Sequence, residues 1–185
     1  MASLPLVVKY LIVFIVSMVP IVELRGAIPI AESLGLDILY YYPLAIIGNM
    51  LPVPFIYLFA RKVLEWGKDK KLIGKFFTWC LEKGTKGGEK LRESAGNKGI
   101  FWALLIFVGI PLPGTGAWTG TLAASFLNID FKTSISAVTL GVLLAGIIMS
   151  LGSKIVATLG WIGIFAIIVA ILVIILIPII IKKKK

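Results

Sequence analysis

The sequence has no histidine, a single cysteine and few charged residues. Of its 185 residues, 15% are charged, and only nine are acidic. With Cys80 alone, a disulfide within the chain is impossible, and a metal site built from histidine and cysteine is excluded. Without histidine, any proton transfer must depend on carboxylates. Because no nucleophile–base pair or metal-ligand set is evident, we expect a protein that is not an enzyme and that holds no metal or cofactor.

The sequence is rich in apolar residues. The chain is 59% hydrophobic and has a mean hydropathy of +1.02, which is more apolar surface than a soluble domain of this size can hide. A membrane-spanning helix needs about 20 apolar residues. Four uncharged runs are long enough, and a shorter apolar stretch from Leu4 to Val22 is interrupted by Lys9. The four runs are Ile38–Ala60, Gly99–Ile129, Thr133–Ser153 and Gly160–Ile181.

The positive charge is concentrated in two segments. The net charge is +10, with eleven of the 19 basic residues between Arg61 and Lys98 and four more in the tail Lys182–Lys185. The positive-inside rule predicts that residues 61–98 and the C-terminus are cytoplasmic. Because the membrane topology explains the charge, we do not expect nucleic-acid binding.

The run Gly99–Ile129 is too long for one straight helix across the bilayer. It has 31 uncharged residues, whereas about 30 Å of hydrocarbon needs about 20. Pro111 and Pro113 lie in its middle among three glycines, and these residues cannot continue a helix. The pattern predicts a re-entrant hairpin, in which two half-helices enter and leave on the same side.

A second broken segment lies near the N-terminus. Pro20, Glu23, Arg25 and Pro29 interrupt apolar sequence, which predicts another hairpin over residues 6–34. When this region is shifted by 93 residues, eight identities appear among the 45 positions of residues 20–64. The matches that carry most weight are Pro20 with Pro113, Asp37 with Asp130 and Gly48 with Gly141; Arg61 also falls on Lys154.

These patterns predict an all-α polytopic membrane protein with a single integral membrane domain. It would contain two inverted repeats, each a re-entrant hairpin followed by a transmembrane helix, which is a transporter architecture. The predicted parts are repeat one over residues 6–64, a cytoplasmic amphipathic connector over 66–98, repeat two over 99–158, and a C-terminal transmembrane helix over 160–181.

The predicted connector divides into two parts. Its first part has one apolar helical face and lies on the membrane surface, or alternatively binds a soluble partner. The stretch Gly84–Gly99 follows as a polar, glycine-rich linker. The residues of the apolar face are Leu72, Ile73, Phe76, Phe77, Cys80 and Leu81.

Glu23 and Arg25 are the sharpest functional candidates. A charge at the bilayer centre costs about 2.5–3.5 kcal/mol on insertion scales, so two in one hydrophobic segment need a local reason. One interpretation is a buried ion pair that fixes the turn. The other is a substrate or proton site that faces a wet cavity.

The two predicted half-helix starts form a candidate anion site. Helix starts expose unpaired N–H groups and the positive end of the dipole, and a guanidinium adds a fork for phosphate or carboxylate. Alternatively, these groups only satisfy each other's backbone. Thr115 or Thr119 is a candidate cap of the second half-helix. The predicted substrate-binding residues are Arg25, Gly26, Gly114, Thr115, Gly116, Trp118 and Thr119.

Two further polar residues have open interpretations. Glu32 follows Arg25 by seven residues and would lie on nearly the same helical face. It is interpreted as a proton carrier or an outer gate, or alternatively as a carboxylate at the headgroup level without a role. With Glu23 it makes up the predicted proton-coupling pair. Asn49 is interpreted as packing between helices.

The two proline-containing stretches resemble a known family. Glu23–Pro29 and Pro111–Gly120 resemble the two hallmark segments of the small multi-drug export protein family, and the similarity covers roughly residues 10–160. More distantly, the layout resembles the DedA-like superfamily. That resemblance implies a prokaryotic plasma membrane, two re-entrant hairpins and proton-motive-force-dependent translocation of phospholipids or undecaprenyl phosphate. DedA-like proteins commonly carry an acid in the first hairpin and an arginine in the second; Glu23 meets the first expectation, but Pro111–Gly120 has no arginine.

Three functions remain open from the sequence. The leading hypothesis is a proton-coupled secondary transporter or flippase for an amphipathic anion such as a polyprenyl phosphate. The alternatives are a cationic-drug/proton antiporter and a membrane scaffold or assembly factor without transport. The expected partners are the bilayer, a lipid or small amphipathic substrate, and a second copy of the chain in a homodimer.

Overall fold

A computed structural model of the chain describes residues 4–70, 74–112 and 114–160, without the side chains of 157 and 159. All regular structure in these ranges is helical, which confirms the predicted class. The helices are α1 Leu6–Met18, α2 Glu23–Ser33, α3 Ile38–Met50, α4 Val53–Gly67, α5 Gly74–Gly109, α6 Ala117–Phe126 and α7 Phe131–Leu159.

Among the residues that the structure describes, two helical stretches are long and apolar enough to cross a membrane. Ile38–Gly67 joins α3 and α4 over 30 residues, and Phe131–Val156 covers 26 residues of α7. They contain the predicted spans Ile38–Ala60 and Thr133–Ser153. The predicted C-terminal helix over residues 160–181 lies outside the described residues, apart from residue 160. By length and composition, these two stretches fit a membrane protein.

These two long stretches run antiparallel. Near the start of α3, the Tyr42 hydroxyl donates to the Leu143 carbonyl at 2.8 Å. In α4, the Tyr57 hydroxyl donates to the Ile129 carbonyl, just before α7 begins. The start of α3 therefore lies beside the later part of α7, and α4 lies beside the beginning of α7.

A helical hairpin packs against each long stretch. α1 and α2 form the first, and residues 97–109 of α5 form the second with α6. Gly48 of α3 and Gly141 of α7 permit the contact: an added Cβ would lie 2.6 Å from the Phe14 carbonyl oxygen and 2.9 Å from that of Leu105, respectively. The glycine pair matched by the 93-residue shift thus makes the same kind of contact twice.

The second arms of both hairpins end with the same hydrogen bonds. The Leu36 N–H donates to the Ala31 carbonyl at 3.1 Å, and the Ile129 N–H donates to the Ala124 carbonyl at 3.0 Å. Each bond spans five residues, as in a Schellman cap. The two caps are 93 residues apart.

Each cap contains one residue in the left-handed conformation. Gly35 has φ of 66° and Asn128 has φ of 56°. Glycine and asparagine are the residues that adopt this conformation most readily. The same turn is therefore built by different residues in the two halves.

The matched aspartates begin the long helices. Asp37 accepts a hydrogen bond from the Leu39 N–H at 2.9 Å, and Asp130 accepts one from the Thr133 N–H at 2.8 Å. Both are N-caps, which are favoured by short acidic side chains. The Asp match thus has a local structural reason in both halves.

The prediction of a glycine-rich linker over Gly84–Gly99 is wrong. α5 continues to a break at Gly96, where φ is 61° and ψ is 178°. An added Cβ at Gly84 would lie 2.3 Å from the Phe126 carbonyl oxygen, and one at Gly88 would lie 1.8 Å from that of Leu127. These glycines allow the helix to approach the end of α6 closely, so they serve packing and not flexibility. The predicted apolar face is partly described, and its Phe76 is 62% exposed.

Pro29 does not break the first hairpin, contrary to prediction. It lies inside α2, where it only removes one helical N–H donor. The break lies at residues 19–22, which include Pro20, and the second break includes Pro111 between α5 and α6. Pro113 lies outside the described residues.

Candidate functional site

The tip of the first hairpin has a strained backbone. Ile21 has φ of 72° and Glu23 has φ of 50°. A β-branched residue in this region is a conformational outlier, and such positions cost about 1–3 kcal/mol each. The surrounding structure therefore holds the tip in a conformation that its local sequence disfavours.

The Glu23 side chain contacts the start of α6. Its two carboxylate oxygens accept from the Ala117 N–H and the Trp118 N–H, each at 3.0 Å. Glu23 is only 3% exposed, and the N-cap Gly116 supplies no side-chain cap. A carboxylate from the first hairpin thus caps a helix of the second, where the helix dipole also favours negative charge.

Gly116 makes room for this carboxylate. A Cβ at this position would lie 1.7 Å from Oε2 of Glu23. Any other residue would therefore displace the carboxylate or the start of α6. The sequence singled out Gly116 as part of a helix start, and the structure gives it this steric reason.

Arg25 contacts the end of α5. Its Nη2 donates to the Val108 carbonyl at 3.3 Å, to the Ile110 carbonyl at 3.2 Å and to the Thr115 hydroxyl oxygen at 3.0 Å. Carbonyls at a helix C-terminus carry partial negative charge and lack helical partners. Arg25 lies in the first turn of α2, as expected for the start of the returning half-helix, but its guanidinium contacts the carbonyl-rich end of α5.

Glu23 and Arg25 act on opposite ends of one broken segment. The acid neutralises the positive start of α6, and the base neutralises the negative end of α5. They form no ion pair with each other; the ion pair found in the described ranges is Arg61–Glu65 on α4. The interpretation as a buried Glu23–Arg25 ion pair is therefore wrong, and the two hairpin tips meet through side chain–backbone bonds.

A small cavity lies where the tips meet the long helices. It measures about 10 Å³ and is lined by Glu23, Arg25, Asn49, Gly116 and Val142, among others. That is close to the least volume that holds one water. Asn49 is 2% exposed, and its Oδ1 and the Nε of Arg25 are buried without a hydrogen-bond partner in the described ranges. Asn49, interpreted from the sequence as packing, therefore belongs to the candidate site.

The predicted threonine caps are wrong. The Thr115 hydroxyl lies 2.8 Å from the Ile110 carbonyl, and the Thr119 hydroxyl donates to the Gly116 carbonyl at 3.2 Å. Both hydroxyls satisfy carbonyls, because the N–H groups at the start of α6 are already bound by Glu23. Trp118 contributes its backbone N–H, while its indole Nε1 is buried without a partner in the described ranges.

The other predicted glycines have local roles. Gly26 follows Arg25 in α2, where a Cβ would lie 2.4 Å from the Val22 side chain. Gly114 lies in the second tip with φ of 83°, a conformation that favours glycine. Neither is among the residues that line the cavity.

Glu32 is not part of the tip. It lies nine residues after Glu23 in α2, or about 13 Å along the helix. There its carboxylate accepts a hydrogen bond from the Tyr41 hydroxyl of α3. The two predicted proton-coupling residues are therefore in separate places.

Sequence reasoning missed Tyr41. Tyr41, Ala45 and Asn49 are spaced four apart and are all buried on one face of α3. A polar residue at each end of such a stripe is a signal that the helical period makes visible. Because Tyr40, Tyr41 and Tyr42 are consecutive, the period alone does not separate Tyr41 from its neighbours, and only the packing of the other helices shows that Tyr41 is the fully buried one.

The chain matches a known protein family. The family described as "Putative small multi-drug export protein" matches residues 23–148. That range begins at Glu23 and contains every residue of the tip contact. No curated protein and no solved structure matches the chain.

Proposed function

Since the chain belongs to the small multi-drug export family, we propose that it is a secondary transporter or flippase that moves an amphipathic anion, such as a polyprenyl phosphate lipid, in exchange for protons. The family description and the apolar long helices support export across a membrane. The substrate and the proton coupling are inferences from the tip contact. No catalytic chemistry is assigned to the chain.

The proposed architecture consists of two inverted repeats with re-entrant hairpins. It is supported by the caps, aspartates and close-packed glycines that recur at a spacing of 93 residues. Two antiparallel long helices, each carrying one hairpin, are what an inverted repeat requires. The positive-inside rule then puts residues 61–98 and the C-terminus in the cytoplasm, and the DedA-like resemblance implies a prokaryotic plasma membrane.

One observation carries the proposal: the start of α6 already binds a carboxylate. Glu23 accepts from the Ala117 and Trp118 N–H groups at 3.0 Å, in a site that excludes most solvent. Two N–H groups and a helix dipole suit phosphate as well as carboxylate. Glu23 thus occupies, within the chain, the place that an anionic head group would take.

Protonation of Glu23 provides the exchange step. An ionised carboxylate is a strong acceptor for two N–H groups, whereas a protonated one is weaker and carries no charge for the dipole. A substrate phosphate would then displace it, with the Arg25 guanidinium nearby as a second contact. When the substrate leaves, Glu23 releases its proton and caps α6 again.

Binding of a polyprenyl phosphate to the purified protein in nanodiscs tests this directly. We expect Arg25→Ala to abolish binding, and Glu23→Gln to bind tightly at all pH values, because the neutral amide competes poorly with phosphate. Glu65→Gln on α4 is the matched control, since it removes an exposed carboxylate far from the tips. Unchanged affinity in folded Arg25→Ala protein would overturn the anion proposal.

Export of cationic drugs is the second candidate function. The family description favours it, and Glu23 is a buried carboxylate that can alternate between a proton and a cation. Arg25 beside it disfavours a cationic substrate. Resistance to quaternary ammonium compounds that depends on expression and disappears in Glu23→Gln would replace the anion proposal with this one.

A third hypothesis is a scaffold without transport, including one that acts as a homodimer. It predicts that water does not reach the place where the two hairpin tips meet. Asn49→Cys in a Cys80→Ser background tests for water, because Asn49 lines the cavity. A transporter exposes this cysteine to a polar thiol reagent in part of its cycle, whereas a scaffold leaves it unreactive. Gly116 is unsuitable for this purpose, because a Cβ there collides with Glu23.

A further inference from the structure

The first part of α5 lies across one end of the molecule. The Phe77 ring packs on Gly67 at the end of α4, where an added Cβ would lie 2.6 Å from it. Further along, Gly84 lies against the Phe126 carbonyl at the end of α6. Because the apolar stretch Ile38–Gly67 also ends here, this part of α5 lies at the level of a membrane surface, with one of its faces covered by protein.

A second face of the same helix is exposed and carries aromatic and basic side chains. Phe76 is 62% exposed and Trp79 is 56% exposed, and their rings stack with centroids 6.4 Å apart. Lys83, Lys86 and Lys90 follow them and are also exposed. These five positions are spaced three and four apart, so their side chains lie along one side of the helix. Together they form the aromatic–lysine stripe.

The positive charge of the stripe is not neutralised by acids. Glu82 and Glu89 each precede a lysine of the stripe by one residue, which places them about 100° away around the helix. The ion pair in the part of the chain that the structure describes, Arg61–Glu65, uses none of the three lysines. Lysines beside exposed aromatic rings are typical of a helix that lies where lipid head groups meet acyl chains.

The stripe adjoins the exposed apolar side of α4. Phe55, Phe59 and Trp66 are each more than half exposed along this side, as residues of a membrane-spanning stretch that face lipid would be. The Lys70 Nζ lies 4.2 Å from the centre of the Trp66 ring, and Lys70 and Trp79 line the same recess of about 490 Å³. The aromatic end of the stripe is therefore continuous with the side of α4 that would face lipid.

We propose that the aromatic–lysine stripe binds the anionic head groups of phospholipids in the adjacent leaflet. Phe76 and Trp79 enter the boundary between head groups and acyl chains, and the three lysines contact phosphates. A lysine beside an anionic surface is worth about a fivefold gain in affinity, so three favour the membrane-bound stripe by about a hundredfold. This inference goes beyond the proposed function, because it does not depend on what the protein transports.

Spin labels on the full chain in nanodiscs test the proposal. In a Cys80→Ser background, Trp79→Cys places a label on the stripe, and Thr78→Cys places one at an exposed position about 100° away. The accessibility of each label to oxygen, relative to a polar nickel complex, is measured in phosphatidylcholine with and without phosphatidylglycerol. We expect this ratio to rise at position 79 when the anionic lipid is present and to stay unchanged at position 78.

Charge variants test whether the lysines of the stripe cause the rise. Lys83→Gln, Lys86→Gln and Lys90→Gln together should abolish the rise at position 79. A matched triple variant, which removes the same charge from exposed lysines outside the stripe, should keep it. Its substitutions are Lys62→Gln, Lys98→Gln and Lys132→Gln. If the stripe variant does not fold, high salt replaces it, because salt screens exposed charges and must abolish the rise as well.

The proposal is overturned by any of three results. A label at position 79 that reacts to the nickel complex equally in both bilayers means that the stripe faces water, as a site for a soluble acidic partner would. A label that is equally embedded in both means that insertion does not depend on lipid charge. Equal loss of the rise in both triple variants means that overall charge attracts the lipid. Because these nanodiscs contain no polyprenyl phosphate, none of these results bears on the proposed function.

Discussion

The two hairpin tips differ in what each contributes to their contact. The first tip supplies both charges, Glu23 and Arg25, on a strained backbone. The second supplies backbone groups, with N–H groups at the start of α6 and carbonyls at the end of α5. Although the halves share their caps and long-helix packing, the tips are complementary and not alike. A repeat can therefore conserve its frame while its two centres take different roles.

This difference has a consequence for switching. Backbone N–H and carbonyl groups keep their charge at any ordinary pH, so the second tip cannot change what it offers. The first tip can, because one proton on Glu23 removes the charge that the helix dipole favours. Control of the contact therefore belongs to the first hairpin.

Removal of the Glu23 carboxylate should produce the largest effect. Glu23→Ala leaves two buried N–H groups at the start of α6 without acceptors, and each costs about 1–3 kcal/mol. We expect a loss of about 2–5 kcal/mol in the free energy of unfolding, measured by denaturant titration in micelles. Glu23→Gln, which keeps one acceptor oxygen, should lose about half as much. An unfolding midpoint equal to that of the wild type would show that the tips do not depend on each other.

A side chain at Gly116, which would obstruct the contact of the Glu23 carboxylate with the start of α6, should have the next largest effect. Gly116→Ala puts a Cβ where Oε2 of Glu23 lies, and such overpacking costs about 1–3 kcal/mol. Gly152→Ala is the matched control, because nothing lies within 4 Å of a Cβ there. The thermal midpoint should fall in the first variant and stay or rise in the second. Equal shifts would mean that helix propensity, and not the carboxylate, decides the outcome.

The Schellman caps sharpen the comparison between the halves. Gly35→Ala introduces a side chain at φ of 66°, which should cost about 1–2 kcal/mol. Gly35→Asn should cost less, because Asn128 already occupies the equivalent position at φ of 56°. Thermal unfolding of the two variants checks the order. If asparagine destabilises as much as alanine, the two caps are not equivalent.

The smallest effect concerns the N-cap of α7. A hydrogen bond from the Thr133 N–H holds the pKa of Asp130 below its ordinary value. Its stabilising contribution is therefore complete above about pH 4 and is lost as the pH falls through the lowered value. Asp130→Asn keeps an N-cap acceptor but removes the charge that the helix dipole favours, so it should cost about 0.3–1 kcal/mol at neutral pH and nothing at low pH. A difference from the wild type that stays constant across this range would contradict the assignment.

Much of the frame could be predicted from local sequence. Proline disfavours a continuous helix, so both hairpin breaks, which contain Pro20 and Pro111, were predictable, although Pro29 shows that proline alone does not fix where a helix ends. Asp37 and Asp130 precede apolar runs and cap them, as short acidic residues do. The predicted linker over Gly84–Gly99 failed for the opposite reason, because glycine also serves close packing, and a partner such as Phe126 is distant in sequence.

The site was predictable only in its residue types. Glu23 and Arg25 stand out because charges are rare in apolar sequence, and the sequence by itself determined that they need partners. It also determined the class, since 59% hydrophobic residues in uncharged runs leave little choice but a membrane. Which partners they find was decided by tertiary structure alone. The carboxylate binds N–H groups 94 and 95 residues away, and the guanidinium binds carbonyls 83 and 85 residues away, because folding brings two broken helices end to end. Every residue type has a backbone N–H or carbonyl, so the sequence of the first hairpin does not indicate that its charged side chains will bind the helix ends of the second. Only the packed molecule shows that contact.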